Sequence, residues 1–441
     1  MKRLSPRLPA LLLAACLALS ACAGAPASSG IAPSSAAPSQ AAVSADSPAQ
    51  TPLPEAFTIC VDNDSLDAYR QLLTVELPAR YPEVEITVTN LMDTFGPDGA
   101  PLGAAELMAR VEEMRTQVMS GQGPDLFILS AAGSNLFADP PKTMAAGAFE
   151  DLAADLDDIT GGAPVNEAVL AAGALDGAQY LLPLTYTVPA VVADASVLAG
   201  FETGAQDSPA RFLEGLMDHT GAQNAWPLTW LAYRGDQMAA RSVLEQAEAG
   251  ALDEDTLALL ALVAQSRQPA FAGTSVDLVP HENVPFAADA AGATLIPLWA
   301  QALAEAGGQP QVMAVPNGQG GTTASVQLYA AVRAGSPGRA LAVEILPLLL
   351  DAQWMGTSGI TRAGLCLSET STEALLAEAF AQTPDLAGQY ARAADAVNAA
   401  RFTALADGAL RSSVLDAIAQ GQSPAQAADA FVQAYQVYLS E

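Results

Sequence analysis

The stretch MSGQGPDLFILSAAGSN, residues 119–135, holds a turn, a strand and an abrupt stop. Gly121-Gln122-Gly123-Pro124 ends a helix, because glycines accept left-handed backbone and proline cannot continue the helical ladder. Leu126–Leu129 then form an apolar run without alternation, which predicts a short strand covered on both faces. The run stops at Ser130, and the small residues Ala131, Ala132, Gly133 and Ser134 follow. Upstream, Leu107, Val111, Met114 and Val118 recur at helical spacing. Further upstream, Phe57–Val61 reads as a buried strand, followed by the polar turn Asp62–Ser65. Leu66, Tyr69, Leu72 and Leu73 then mark a helix that ends near Pro78 and Pro82, and Val84–Val88 alternates as a second strand. Strand–helix–strand–helix–strand predicts a parallel, right-handed, doubly wound α/β sheet. Ligands of such sheets bind beyond the carboxyl ends of the strands. Asn63, Asp64 and Ser130 fall at two of those ends. Small residues after Ser130 leave backbone N–H groups and a helix N-terminus open to the crevice, although a serine there also serves as a plain helix cap.

The 441 residues exceed what one core ordinarily supports, so two domains are expected. Hydrophobic residues make up 51% and charged ones 15%, which suits a packed globular chain. The 48 acidic residues against 18 basic ones give a formal charge of −30, and lysine occurs only at Lys2 and Lys142. Such a surface repels phosphate backbones, which excludes nucleic acid as a partner.

Lys2, Arg3 and Arg7 precede the apolar stretch Leu8–Leu19, a secretory signal too short to span a bilayer. It ends in Leu19-Ser20-Ala21-Cys22, which resembles the bacterial lipobox. That resemblance implies cleavage after residue 21, lipidation of Cys22 and an extracytoplasmic, membrane-anchored protein. Residues 23–55 are nearly all Ala, Ser, Pro, Gly and Gln, so no core can form there. As a flexible coil they would span roughly 30 Å. Cys60 and Cys366 are left for redox chemistry. A disulfide between them is conceivable outside the cytoplasm, but Cys60 lies in an apolar strand, and two unpaired thiols are favoured.

No catalytic or cofactor signature stands out, so neither enzyme activity nor a cofactor is expected. His219 and His281 are far apart with no zinc spacing. The glycine loop NGQGGTT, residues 317–323, lacks phosphate-loop spacing, and no nucleophile elbow occurs. A carboxylate pair for glycoside hydrolysis would be lost among so many acids.

Larger pieces bear a resemblance. RVEEMRTQVMSGQGPDLFILS resembles the extracellular solute-binding proteins of ABC transporters, in their sugar-binding, maltose-binding-protein-like class. Others follow in that family's order: YPEVEITVTN as its second strand and GAFEDLAADLDD as its lobe-edge loop. QYLLPLTYTVPAVVADASVLAG resembles the first crossing between lobes and ATLIPLWAQAL the return. VQLYAAVRAGSPGRALAVEILPLLL resembles a strand, turn and long helix, where Pro347 departs from the pattern and should kink the helix. GQSPAQAADAFVQAYQVYLSE resembles the closing helix. There Ser423 and Gln426 form a capping box around Pro424, and Ala428, Phe431, Tyr435 and Tyr438 form an apolar stripe.

The resemblance implies two Rossmann-like lobes joined by a hinge. Lobe 1 would hold residues 56–186 plus 311–350, and lobe 2 residues 187–310 plus 351–441. It further implies a monomer that captures a solute, a carbohydrate first, for ABC permease subunits in the membrane. Sugars need flat aromatic faces and amide or carboxylate groups. Trp299 at the expected return crossing, Trp230 beside Trp226, Tyr186 between Thr185 and Thr187, and Arg362 in GITRAGL join Asn63, Asp64 and Ser130 as candidate ligand-binding residues. Trp354 reads as structural. Alternatives are the same fold around a polyamine or other cation, which acidic and aromatic groups would cage, a surface glycan-active enzyme, and a sensor lipoprotein.

Overall fold

The computed structural model describes residues 53–96, 99–131, 136–137, 139–204, 207–220, 246–247, 252–266, 286–288, 300, 303–305, 307–355, 364–402, 413–414 and 416–440. The expected start is present: β1 (Ala56–Val61), α1 (Asn63–Gln71), β2 (Glu85–Asn90), α2 (Ala104–Met119) and β3 (Leu126–Ser130). Helix α1 runs on through a wide turn, Leu72–Glu76, to Arg80. On α2, Val111 and Val118 are buried and Met114 packs against the core, the stripe read from spacing. A tight hairpin, β4 (Ala174–Leu175) and β5 (Ala178–Gln179), turns on Asp176 and Gly177, both at positive φ.

Beyond it come β6 (Leu182–Thr187), β7 (Ala190–Asp194), β8 (Phe286–Ala288), β9 (Pro310–Ala314), β10 (Thr322–Val332), β11 (Leu365–Cys366) and β12 (Val397–Phe402). The longer helices are α3 (Pro209–Thr220), α4 (Glu254–Ser266), α5 (Arg339–Leu349), α6 (Glu369–Ala379), α7 (Pro384–Asp395) and α8 (Pro424–Ser440). Pro347 falls in the last turn of α5. Among the described residues, no helix is long and apolar enough to cross a membrane.

The strands form a seven-stranded sheet, β2-β1-β3-β10-β6-β11 with β12 beside the first half of β10, and a three-stranded sheet, β8-β7-β9. Strands β2, β1 and β3 are parallel, as expected. Beyond those three strands the larger sheet is mixed: β10 runs antiparallel to both β3 and β6. The reason lies in the route of the chain. Strand β6 leaves the larger sheet at Thr187 and becomes β7 of the smaller one across Val188-Pro189. The chain returns from β9 through residues 315–321 and enters the sheet from the edge where β6 left it, so β10 must run back. The two crossings touch, Val315 N–H donating to Pro189 O at 2.9 Å. This return lies later than ATLIPLWAQAL, residues 293–303, most of which are outside the described residues.

Strand β9 pairs in the smaller sheet, and β11 and β12 in the larger. The glycine loop is the return crossing itself. Gly318 and Gly320 take φ of 79° and 85°, and a Cβ on Gly321 would sit 2.5 Å from Ala396 O. Asn317 Nδ2 donates to Asn398 Oδ1 at 2.7 Å, tying the loop to β12.

The larger sheet carries the main core, with Phe57, Ile59, Phe127, Leu129, Tyr329 and Ile345 fully or almost fully buried. A second core gathers Val191, Phe212, Leu213, Leu260 and Ala428 around the smaller sheet. Strand β7 serves both: Val191 and Ala193 face the second core, Ala190 and Val192 the first. Helix α8 begins with the expected capping box, Gln426 N–H donating to Ser423 Oγ at 3.3 Å and Ser423 N–H to Gln426 Oε1 at 3.4 Å. Phe431 and Tyr435 stack on its buried face. Cys60 and Cys366 are free and buried.

Candidate functional site

Polar residues line one edge of the larger sheet, where β2, β1, β3 and β6 all end and β10 passes. Asn90 closes β2, Asp62 and Asn63 follow β1, Ser130 closes β3, Gln327 sits on β10, and Thr187 closes β6. Behind this edge β1 and β3 are apolar nearly throughout, whereas β2 alternates and β10 opens with Thr322, Thr323 and Ser325.

Asp62 is almost fully buried and caps α1. Its Oδ1 accepts from Ser65 N–H at 3.0 Å and Ser65 Oγ at 2.9 Å, and its Oδ2 accepts from Ser130 N–H and Ser130 Oγ, both at 2.7 Å. Four donors saturate the carboxylate. The apolar strand β3 therefore delivers Ser130 to Asp62 and locks the ends of β1 and β3 together. Burial, and secondarily the Asp62 charge, push the neighbouring Cys60 thiol up to about 12.

Asn63 is exposed at the first turn of α1, with Asp64 exposed beside it. Its Oδ1 accepts from Asn90 Nδ2 at 2.8 Å and its Nδ2 donates to Met92 O at 3.4 Å. Asn90 Oδ1 accepts from Met92 N–H at 3.0 Å, so the two amides hold the root of the loop after β2. Across the row, Ala131 N–H donates to Gln327 O at 2.8 Å and Gln327 Nε2 to Thr187 Oγ1 at 3.2 Å. Gly364, at φ 86°, abuts Thr187: a Cβ there would lie 2.9 Å from its Cγ2.

Asn63, Asp64 and Ser130 thus share one edge, as expected. Tyr186 does not join them. Alternation along β6 turns its side chain away from that of Thr187 and into the main core, where it is almost fully buried. Burial raises its phenol well above the usual range, and a hydrogen bond with Asn166 partly offsets this. Trp226, Trp230, Trp299 and Arg362 lie outside the described residues. Trp354 packs against the main core. Among the described residues no group of His, Cys, Asp or Glu is arranged to hold a metal ion. Sequence reading missed Gln327 and Asn90. The available signal for Gln327 was a single amide inside the apolar run Val326–Val332.

No protein-family model and no curated protein matches this chain. Solved structures do. An extracellular solute-binding protein family 1 member from Alicyclobacillus acidocaldarius subsp. acidocaldarius DSM 446 superposes with a TM-score of 0.55 at 16% identity, covering 89% of this chain and 100% of that one. The chain has the fold of the extracellular solute-binding proteins. The cyclic alpha-maltosyl-1,6-maltose binding protein from Arthrobacter globiformis gives 0.52 at 18% identity, covering 86% of this chain and 98% of its own. The galacto-N-biose-/lacto-N-biose I-binding protein of the ABC transporter from Bifidobacterium longum gives 0.53 at 13%, covering 87% and 97%. In this solute-binding fold the polar edge lies where the chain passes between its two sheets.

Proposed function

We propose that this protein is the extracytoplasmic solute-binding component of an ABC importer, anchored through a lipid on Cys22, and that it captures a carbohydrate between two hinged lobes for delivery to a permease. The observation that carries the reading is the row Asn90, Asn63, Gln327 and Thr187 at the edge beside both crossings, with Ser130 tied to Asp62 behind it. Ligand sites favour the carboxyl edges of α/β sheets and the seams between domains. Amides and hydroxyls along such an edge suit a solute rich in hydroxyl groups. The similar structures named for maltosyl-maltose and lacto-N-biose binding point the same way. Closure by rotation about Val188-Pro189 and residues 315–321 would bring the two sheets together over the solute. Neither an enzymatic role nor a cofactor is part of this proposal.

The protein should gain thermal stability with at least one neutral mono- or oligosaccharide. At a hundredfold excess over Kd the gain is about 2.7 kcal/mol. A flat response across a broad sugar panel would remove the carbohydrate reading. The formal charge of −30 favours one rival, a cationic solute. That rival gains if spermidine stabilises the protein, added salt weakens the effect, and sugars do nothing.

A further inference from the structure

Strand β10 has eleven residues, and Gln327 is the one that is not buried. Its neighbours in the chain, Val326 and Leu328, are fully or almost fully covered. The pairing with β6 slips at this point: Val326 faces Tyr186 while Leu328 faces Thr185, so two steps on β10 oppose one on β6. A bulge of this kind re-aims a side chain out of the regular pleat, and bulges gather beside functional sites. Here it places a lone amide beside the hydroxyl-bearing Thr187 and Ser325, within a strand whose other residues are all buried.

The amide is half committed. Its Nε2 donates to Thr187 Oγ1 at 3.2 Å and Ser325 O at 3.4 Å, and its Oε1 accepts from no described residue. Turning the amide over would spend the oxygen on Thr187 and leave the nitrogen unspent, so one end stays available in either assignment. Ser325, which faces Thr187 across the strands, keeps a buried hydroxyl with no partner among the described residues. On the far side, the backbone carbonyl of Gln327 holds Ala131, the residue after Ser130. The side chain is therefore fixed at its root, oriented by Thr187 and unspent at one end. Asp125, at the opposite end of β3, has no such spare group: Thr58 and Ser336 take its carboxylate within the fold.

We propose that Gln327 contacts the solute directly and sets its specificity, hydrogen-bonding a hydroxyl group of a neutral, polyhydroxylated ligand, with Thr187 as its positioning residue. The inference rests on the carbohydrate reading and narrows it. A neutral amide gains little from an ammonium group but matches a hydroxyl, which both donates and accepts. Of the two carboxylates at this edge, Asp62 is saturated by Ser65 and Ser130 and is not free to select a cation, while Asp64 is exposed on the first turn of α1.

The test uses the full chain and calorimetric titration with maltotriose, mannobiose, chitobiose and lacto-N-biose. Gln327→Met keeps the length of the side chain and removes its amide. It should weaken binding about tenfold, the scale of one unmatched hydrogen bond, while the melting temperature without sugar stays at the parent value. Thr187→Val should give a smaller loss through the same amide. Gln327→Asn keeps the chemistry with a shorter reach, and if Gln327→Met does not fold, a tenfold loss in this variant carries the same meaning. A parent that binds one of these sugars, with Gln327→Met and Gln327→Asn binding it equally well, overturns the assignment of Gln327 and leaves the carbohydrate reading standing. A parent that binds none of the four, yet is stabilised by spermidine, overturns both.

Discussion

Strand β3 has a buried aspartate at each end, and the two ends differ in how fully their polar groups are spent. At the amino end, Asp125 Oδ2 accepts from Thr58 N–H and Oγ1, both at 2.8 Å, and Oδ1 accepts from Ser336 Oγ at 2.7 Å. Arg333 lies 3.7 Å from the carboxylate and donates to Pro124 O and Gly121 O at 3.2 and 2.9 Å. The GQGPD turn is therefore held by a guanidinium filling its carbonyls, with Gly121 and Gly123 at φ of 73° and 100°. At the carboxyl end, Asp62 is equally saturated, but its neighbours are not. Asn63 is exposed, and among the described residues nothing donates to Gln327 Oε1. One end closes a sheet. The other closes the sheet and leaves the exposed Asn63 and the partly exposed Gln327 at its rim.

Mutation should separate the ends. Asp125→Ala removes the partner of a buried guanidinium and strands Thr58 and Ser336, so a loss of about 3–5 kcal/mol is expected, read by urea unfolding. Sugar affinity of the remaining folded protein should be unchanged. Asp62→Ala removes a helix cap and leaves the buried N–H groups of Ser65 and Ser130 unpaired, with an expected cost of about 2–3 kcal/mol. Because Asp62 also fixes where α1 begins and hence where Asn63 sits, this variant should lose sugar affinity as well. Equal affinity losses in both variants would erase the distinction between the ends.

The closed end was more legible in the sequence than the open one. Two glycines, a proline and an unbroken apolar run leave few conformations, so the turn and β3 could be read locally. The link from Asp125 to Arg333 could not, since those residues lie far apart in the chain. At the open end, Asn63, Asp64 and Ser130 were found because strand ends announce themselves by a change from apolar to polar residues. Gln327 was missed because a bulge is a property of pairing, not of one strand. Tyr186 was misjudged in orientation for a related reason: alternation states that Tyr186 and Thr187 face opposite sides, but only the assembled sheet states which side is the core. The mixed sheet escaped for the same cause. The direction of β10 follows from where the chain re-enters after the smaller sheet, and nothing within residues 322–332 encodes that.

The smallest expected effects divide the open end itself. Ser130 was read as a crevice residue, yet its hydroxyl donates to Asp62 Oδ2 at 2.7 Å and its side chain is mostly buried. Ser130→Ala keeps the N–H bond to the same oxygen. It should cost about 1 kcal/mol in stability, one hydrogen bond to a charged group in part compensated, and leave sugar affinity near the parent value. Asn63→Ala should behave in the opposite way. Its exposed amide contributes little to folding, within about 0.5 kcal/mol, whereas a solute that uses the row loses a partner and binds severalfold more weakly. The crossing of the two results is the informative outcome, measured by thermal unfolding and titration on the same preparations. If Ser130→Ala instead loses affinity at unchanged stability, then Ser130 Oγ leaves Asp62 when the solute arrives, and the boundary between lock and ligand site moves inward by one residue.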